Sequence, residues 1–183
     1  MGTLPKLRRA DKRMSDTAIN DLLSSGYCGH IASVDSNGWP YVCPLLFVWR
    51  KERIWLHNSR SSGHLLNNVQ DNSSVCFCIS EAGDVFSYGR YECDTSIAYK
   101  SVVVFGEIEI IEDTTEKESF FESLMNKYSA PDSSRPKNFF PRLDETTVYA
   151  LKISRITGKE TELPAHKDLW PMSDNTKSPN AQR

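Results

Sequence analysis

The run "IAYKSVVVFGEIEIIED" (residues 97–113) repeats with the period of two that a strand imposes on side chains. Val102, Val104, Ile108 and Ile110 share one face with Gly106, while Glu107 and Glu109 take the other. A glycine inside so regular a run marks a sharp bend or a close backbone approach. Upstream, "YCGHIASVDSNGWPYVCPLLFVWRKERIWLHN" holds three strand-like runs joined by "DSNG" and "RKER", with Asn37-Gly38 the stronger hairpin signal. "SVCFCIS" is a fourth strand, the run around Gly106 the fifth, and "TTVYALKISRITGKE" a sixth, with a turn predicted at Thr157-Gly158. Residues 81–96, rich in glycine and aromatics, read as a loop or a short extra strand.

Three segments change to the helical period. After the basic "RRADKR", Ala18, Ile19, Leu22 and Leu23 recur at helix spacing, with Ser15 and Asp16 as capping candidates and Gly26 closing the segment. "HLLNNVQDN" accommodates about two turns. In "DTTEKESFFESLMNKY", Asp113 and Glu116 have capping-box spacing, and Phe120, Phe121, Leu124, Met125 and Tyr128 form a core-facing stripe. Six mostly antiparallel strands interrupted by three helices predict a mainly β chain built as a small closed or nearly closed barrel. The barrel domain is expected over residues 1–163, including the N-terminal basic arm and helix, followed by a polar tail over 164–183 that contains His166 and Trp170.

Composition narrows the function. A net charge of -2 with both signs interspersed disfavours a nucleic-acid partner, which calls for a basic stripe. The longest apolar runs fall well short of the roughly 20 residues needed to cross a bilayer, and the N-terminus lacks a signal-like apolar stretch, so a cytoplasmic protein without membrane contact is expected. The five cysteines, Cys28, Cys43, Cys76, Cys78 and Cys93, sit mostly in strand-like segments and read as reduced, buried thiols. Cys76 and Cys78 fall on one strand face, but no second pair stands at zinc-ligand spacing, so no metal is expected. Glycine motifs for dinucleotides or phosphate loops are missing, as are G-x-S-x-G and H-E-x-x-H. His30, within "CGHIASV", is expected to be a buried, hydrogen-bonded strand histidine.

One loop carries candidate chemistry. "WLHNSRSSGHLLNN" (55–68) leaves a strand, passes serines around Arg60, and meets His64 at a helix start. Hydroxyls, a guanidinium and uncapped helix amides are all donors suited to a phosphate, although the same residues also make an ordinary polar turn.

The order of these segments, from basic arm through "WLHNSRSSGHLLNN", "SVCFCI", "YKSVVVFGEIEII" and "LMNKY" to "VYALKISRITGK", resembles the pyridoxamine 5'-phosphate oxidase-like split barrels over residues 8–160. The resemblance is to their flavin-nucleotide-binding branch, close to the nitroimidazole-resistance proteins. It implies a six-stranded antiparallel FMN-binding split barrel and a homodimer with FMN in clefts between subunits. It also implies a phosphate loop of His57, Asn58, Arg60, Ser61 and His64, with the flavin ring lined by Pro44, Leu45, Leu46 and Phe47 and contacted by Tyr99 and Ser101.

This chain departs from the oxidases within that pattern. His64 stands where they carry a basic residue, usually lysine, after the loop glycine, and Cys43 stands where they carry arginine. Ser101 takes the place of a flavin-contacting glutamine, five residues before Gly106, and Arg60 lies within one position of their phosphate arginine. The tail "HKDLWPMSDNTKSPNAQR" does not reproduce their substrate-phosphate pattern, which argues against vitamin B6 oxidation. Two readings follow. One is an FMN-dependent oxidoreductase that passes electrons to a small planar acceptor, nitroaromatics included, with the flavin supplying the chemistry and no side chain assigned as catalytic acid or base. The other is a non-catalytic flavin or heme binder of the same fold.

Overall fold

A computed structural model describes residues 4–60, 63–89, 91–129, 134 and 136–164. Helix α1 (Asp16–Ser25) precedes strands β1 (Gly29–Val34), β2 (Pro40–Leu45), β3 (Phe47–Arg50) and β4 (Arg53–Ser59). Helix α2 (His64–Asp71), strands β5 (Ser74–Ser87) and β6 (Thr95–Ile111), helix α3 (Thr114–Tyr128) and strand β7 (Thr146–Thr161) follow. The strands form one seven-stranded sheet in the order β2-β1-β5-β6-β7-β4-β3, antiparallel at every pairing. The fold is therefore a mainly β split barrel with flanking helices: β2 and β3 are the two ends of an open sheet, and the chain crosses the split at Leu46.

The seventh strand arises because "YVCPLLFVW" breaks at Leu46, where continuous apolar character had hidden the break. Residues 81–87 and 95–96 extend β5 and β6 into a long hairpin, and the expected loop is confined to the connection between Ser87 and Thr95, where Tyr88 N–H donates to Asp94 O at 3.0 Å. Of the two predicted turns at the start of the sheet, "DSNG" is built around Gly38 (φ 87°), with Asp35 Oδ1 accepting from Asn37 N–H and Trp39 N–H at 2.9 and 2.8 Å. "RKER" places two ordinary residues, Lys51 (φ 49°) and Glu52 (φ 53°), in the left-handed region, as a two-residue hairpin turn demands. Glu116 on α3 anchors that turn by pairing with Lys51 at 2.7 Å and Arg50 at 3.1 Å. The Glu116 carboxylate is thus occupied by the hairpin and does not reach back to α3's N-cap, although Asp113 Oδ1 does accept from Glu116 N–H at 2.8 Å.

The predicted turn at Thr157-Gly158 is absent, since β7 runs unbroken to Thr161 and Gly158 pairs with Val102. The glycine is required by packing. A Cβ there would lie 2.6 Å from Ile19 Cγ1 and 2.9 Å from Met14 Cβ, so a bare backbone lets the N-terminal segment cross β7, with Met14 N–H donating to Gly158 O at 3.1 Å. Gly26 likewise admits Ile79 beneath the end of α1, where Ser15 Oγ caps the start by accepting from Ala18 N–H at 3.1 Å.

The interior face collects Ile31, Phe47, Leu56, Phe77, Val102, Val104, Tyr149 and Leu151, all fully buried, and α1 and α2 close its ends through Leu23 and Leu65. Asn68 on α2 donates to Ser33 Oγ on β1 at 3.0 Å within this core, a satisfied buried polar pair that fixes how α2 docks. A second cluster lies on the other side of β3, β4 and β7, where α3 seats Phe120 and Leu124 on Val48, Trp55, Val148 and Ala150. Phe121 and Tyr128 pack at its margin, while Met125 turns outward.

Candidate functional site

The site is built where β4 passes into α2. Period-two alternation sends adjacent side chains of β4 to opposite faces. Asn58 points into the barrel, where its Oδ1 accepts from Tyr149 Oη at 3.0 Å. His57 points outward beneath α3, with its ring 5.6 Å from Phe120 and 5.1 Å from Phe121. His57 and Asn58 therefore do not converge on the loop, and His57 is separated from Arg60 and His64 by the strand itself. Arg60 is exposed and tied to the turn before β7: its backbone N–H donates to Glu145 O at 2.8 Å and its Nη1 to Asp144 O at 3.2 Å. Ser61 lies outside the described residues, as do His166 and Trp170 in the tail.

His64 is the first residue of α2, and its imidazole lies 5.1 Å from the Tyr41 ring of β2. No side chain caps the helix at Gly63, and the first turn carries no carboxylate. The first intrahelical bond is Asn67 N–H to Gly63 O, so the preceding amides are available to an acceptor from outside. Arg60, the His64 side chain and these amides are donors, and the first turn of α2 holds no acid, which is chemistry suited to a phosphate.

The apolar stretch at the split divides its side chains. Pro44 is exposed on the outer face of β2, opposite His30 of β1. His30 is thus an exposed outer-face residue and not the buried histidine the sequence suggested. Leu45 packs against the barrel core and Leu46 against the cluster under α3, whereas the Phe47 ring is fully buried against Phe77, 5.0 Å away. What Phe47 leaves at the split is its backbone. Tyr128 Oη accepts from Phe47 N–H at 3.3 Å and lies 2.9 Å from Phe47 O and 2.8 Å from Tyr27 O, its one proton serving one carbonyl at a time. Lys127 Nζ donates to Phe47 O at 3.2 Å and sits 3.9 Å from the Phe47 ring centre. The sequence carries no local signal for Lys127 or Tyr128 at this site, because the contacts that draw them here span about eighty residues.

Tyr99 and Ser101 lie elsewhere. Ser101 is on the outer face of β6, opposite Ser80 and Lys159 and within reach of Cys78. Tyr99 pairs with Thr161 and lines a cavity of about 370 Å³ with Gly83, Lys100 and Leu163. Arg60 adjoins the start of the sixteen-residue strand β7 and Tyr99 its end, tens of ångströms apart at roughly 3.3 Å per residue. Within one chain, the loop and the Tyr99–Ser101 pair are not brought together. Among the described residues no group of His, Cys, Asp or Glu is placed to hold a metal. No helix among them is long and apolar enough to cross a membrane. Cys76 and Cys78 do share the outer face, half-buried, and burial pushes both thiols above their ordinary pKa.

Comparison with known proteins decides the family. The family model described as pyridoxamine 5'-phosphate oxidase matches residues 15–160. The chain belongs to the pyridoxamine 5'-phosphate oxidase family. Among solved structures, a putative 5-nitroimidazole antibiotic resistance protein from Bacteroides thetaiotaomicron aligns with a TM-score of 0.65 and 23% identity, covering 79% of this chain and 83% of that one. A flavocytochrome from Azotobacter vinelandii aligns with a TM-score of 0.70 and 21% identity over 85% of this chain and 73% of its own. An FAD and heme binding protein from Mycobacterium smegmatis gives 0.69 and 21% over 84% and 76%. At these identities the likeness is one of fold. No curated protein matches the chain.

As a family member, this chain holds its most unusual histidine away from the loop. Burial between Phe120 and Phe121 pushes the His57 imidazole below its ordinary pKa, and its Nδ1 is buried without a partner among the described residues. Because the folded pKa lies below the unfolded one, the unfolded chain binds more protons. The stability associated with neutral His57 is therefore complete above the unfolded pKa of about 6.5 and is lost as pH falls from there through the lower folded pKa. His57→Phe should remove that acid sensitivity. Melting temperatures at about pH 8 and about pH 5 should differ less in the variant than in the wild type, and an equal drop in both would show that His57 does not titrate with unfolding.

Proposed function

We propose that this protein binds FMN, with the phosphate on Arg60, His64 and the first amides of α2, and the ring against the Pro44–Phe47 stretch. The observation that carries this reading is the uncapped, acid-free start of α2 flanked by two side-chain donors. Asn58, locked by Tyr149, and His57, wedged under α3, act here as anchors of the strand that delivers Arg60. Family membership, the flavocytochrome from Azotobacter vinelandii and the FAD and heme binding protein from Mycobacterium smegmatis support a flavin as the ligand.

A second copy of the chain follows from the same geometry. If Tyr99 and Ser101 contact the flavin whose phosphate Arg60 holds, they come from the partner of a homodimer, since one chain places them at opposite ends of β7. The outer face of the sheet suits such a partner. It leaves Val34 and Val42 exposed and opens an apolar groove of about 510 Å³ along Ala32, Cys76 and Phe105. Sedimentation of a flavin-loaded monomer at micromolar concentration would be incompatible with this arrangement.

Bound FMN supplies two-electron and one-electron transfer. The chain's own residues hold the phosphate and offer the ring the backbone and the partly exposed Leu45 and Leu46 of the Pro44–Phe47 stretch. We therefore read the protein as an oxidoreductase of small planar acceptors, nitroaromatics among them. The experiment is a titration of the purified protein with FMN, FAD and heme followed by absorbance. Reduced protein is then mixed with nitroaromatics and quinones, and oxidised protein with pyridoxamine phosphate and oxygen. Saturable FMN binding and acceptor turnover, with no vitamin turnover, is the expected result. A heme spectrum, or a reducible flavin that turns over no acceptor, would favour the non-catalytic binder instead.

A further inference from the structure

The least explained polar group of the fold is the Lys127 ammonium. It leaves the last turn of α3 at the split of the barrel, half-buried, and does not follow the usual surface pattern of a helix-end lysine. Among the described residues its one protein acceptor is Phe47 O at 3.2 Å, and it lies over the faces of Phe47 and Tyr128, with ring centres 3.9 and 5.3 Å away. An ammonium carries three donors, so this environment leaves hydrogen-bonding capacity unused. The ion pairs among the described residues all lie elsewhere, and none involves Lys127. Half-burying a cation that has no counter-charge among the described residues costs free energy that an apolar side chain at the same place would not cost. Desolvation has accordingly pulled the Lys127 pKa down to about 8, while Tyr128 beside it is pushed up and stays a phenol. A site of this kind gains when a negative charge arrives.

We propose that Lys127 is the cation of the flavin-ring site, placed at the split beside the Leu46–Phe47 peptide to stabilise the negative charge that a flavin ring acquires on reduction. The inference rests on the flavin reading above and adds to it a role that neither the loop nor the Pro44–Phe47 stretch supplies. The balance is simple. An added reductant such as dithionite delivers two electrons and solvent one proton, which leaves the ring with a single negative charge and no change in the protein's covalent structure. Lys127 keeps its proton throughout and acts by charge and hydrogen bonding.

The test uses the full chain loaded with FMN, in wild type, Lys127→Met and Lys127→Arg. Dissociation constants are measured for oxidised flavin, and midpoint potentials are measured by equilibration with a reference dye. Lys127→Met should leave the affinity for oxidised FMN near that of the wild type while weakening the hold on reduced FMN by about tenfold or more, seen as a lower potential, and Lys127→Arg should restore it. Equal weakening of both forms, or of neither, overturns the assignment. A second measurement does not depend on the variants folding. With lysines labelled by reductive methylation, the pKa of Lys127 in the wild type should rise when the bound flavin is reduced, and an unmoved pKa overturns the proposal. A wild type that binds no flavin overturns both this inference and the function it rests on, whereas flavin binding with an unchanged potential in Lys127→Met overturns this inference alone.

Discussion

Replacing Arg60 and His64 together by alanine is expected to weaken FMN binding by more than tenfold while leaving the barrel folded. Both side chains reach solvent, and neither contributes to the core, so their removal leaves the packing intact. Arg60 loses its Nη1 bond to Asp144 O, but its backbone bond to Glu145 O remains and holds the loop. Each charge-assisted bond to a phosphate is worth about 1.5–3 kcal/mol, so losing even one accounts for the tenfold, and losing both accounts for considerably more. His64 also rests against Tyr41, which makes the single His64→Phe variant informative, since it keeps the ring contact and removes the donor. Titration by flavin fluorescence, with a thermal melt of the same sample, separates affinity from folding. A folded double variant with wild-type affinity would place the phosphate elsewhere.

Much of this architecture can be read along the chain, and what cannot be read has a common cause. Period-two alternation locates β1, β5 and β6, and the cap residues Ser15 and Asp113 locate the starts of α1 and α3, because these signals are local. The split at Leu46 is not visible, since Leu45, Leu46 and Phe47 are all apolar and each buries against something different. Gly158 reads as a turn until Met14 and Ile19 are seen lying across it. The donor character of Arg60 and His64 is legible in the sequence, and so is a signal that separates His57 from them. Adjacent strand residues face opposite ways, so His57 and Asn58 cannot both look into one pocket. Lys127 had no such signal, because its meaning comes entirely from Phe47, far away in sequence.

The largest loss of stability is expected from Gly106→Val. Gly106 lies in the middle of β6, clamped between Val75 of β5 and Ile153 of β7, at the point where the β6–β7 register shifts and Ser154 becomes the extra residue of a bulge. A Cβ at this position would stand 2.0 Å from Lys152 O and 3.0 Å from Leu151 Cδ1. The first of these is a backbone atom, so no change of rotamer can relieve the clash. Either β6 and β7 separate and their hydrogen bonds lengthen, or the bulge moves and every outward-facing residue beyond it changes face. Overpacking of this kind costs about 3 kcal/mol or more, equivalent to a fall in melting temperature of roughly 6–12 °C for a domain of this size. Gly83→Ala, in the same hairpin system, is the matched control. Its nearest neighbours are Ala98 Cβ at 3.2 Å and Ala98 O at 3.3 Å, contacts that a shift of a few tenths of an ångström relieves, unlike the 2.0 Å approach at Gly106. A melt that falls steeply for Gly106→Val and little for Gly83→Ala would tie the glycine in "VVVFGEIEI" to the backbone of β7. Equal melts would mean that β6 and β7 have room for a side chain there, and that the bulge at Ser154 is set by something other than their close approach.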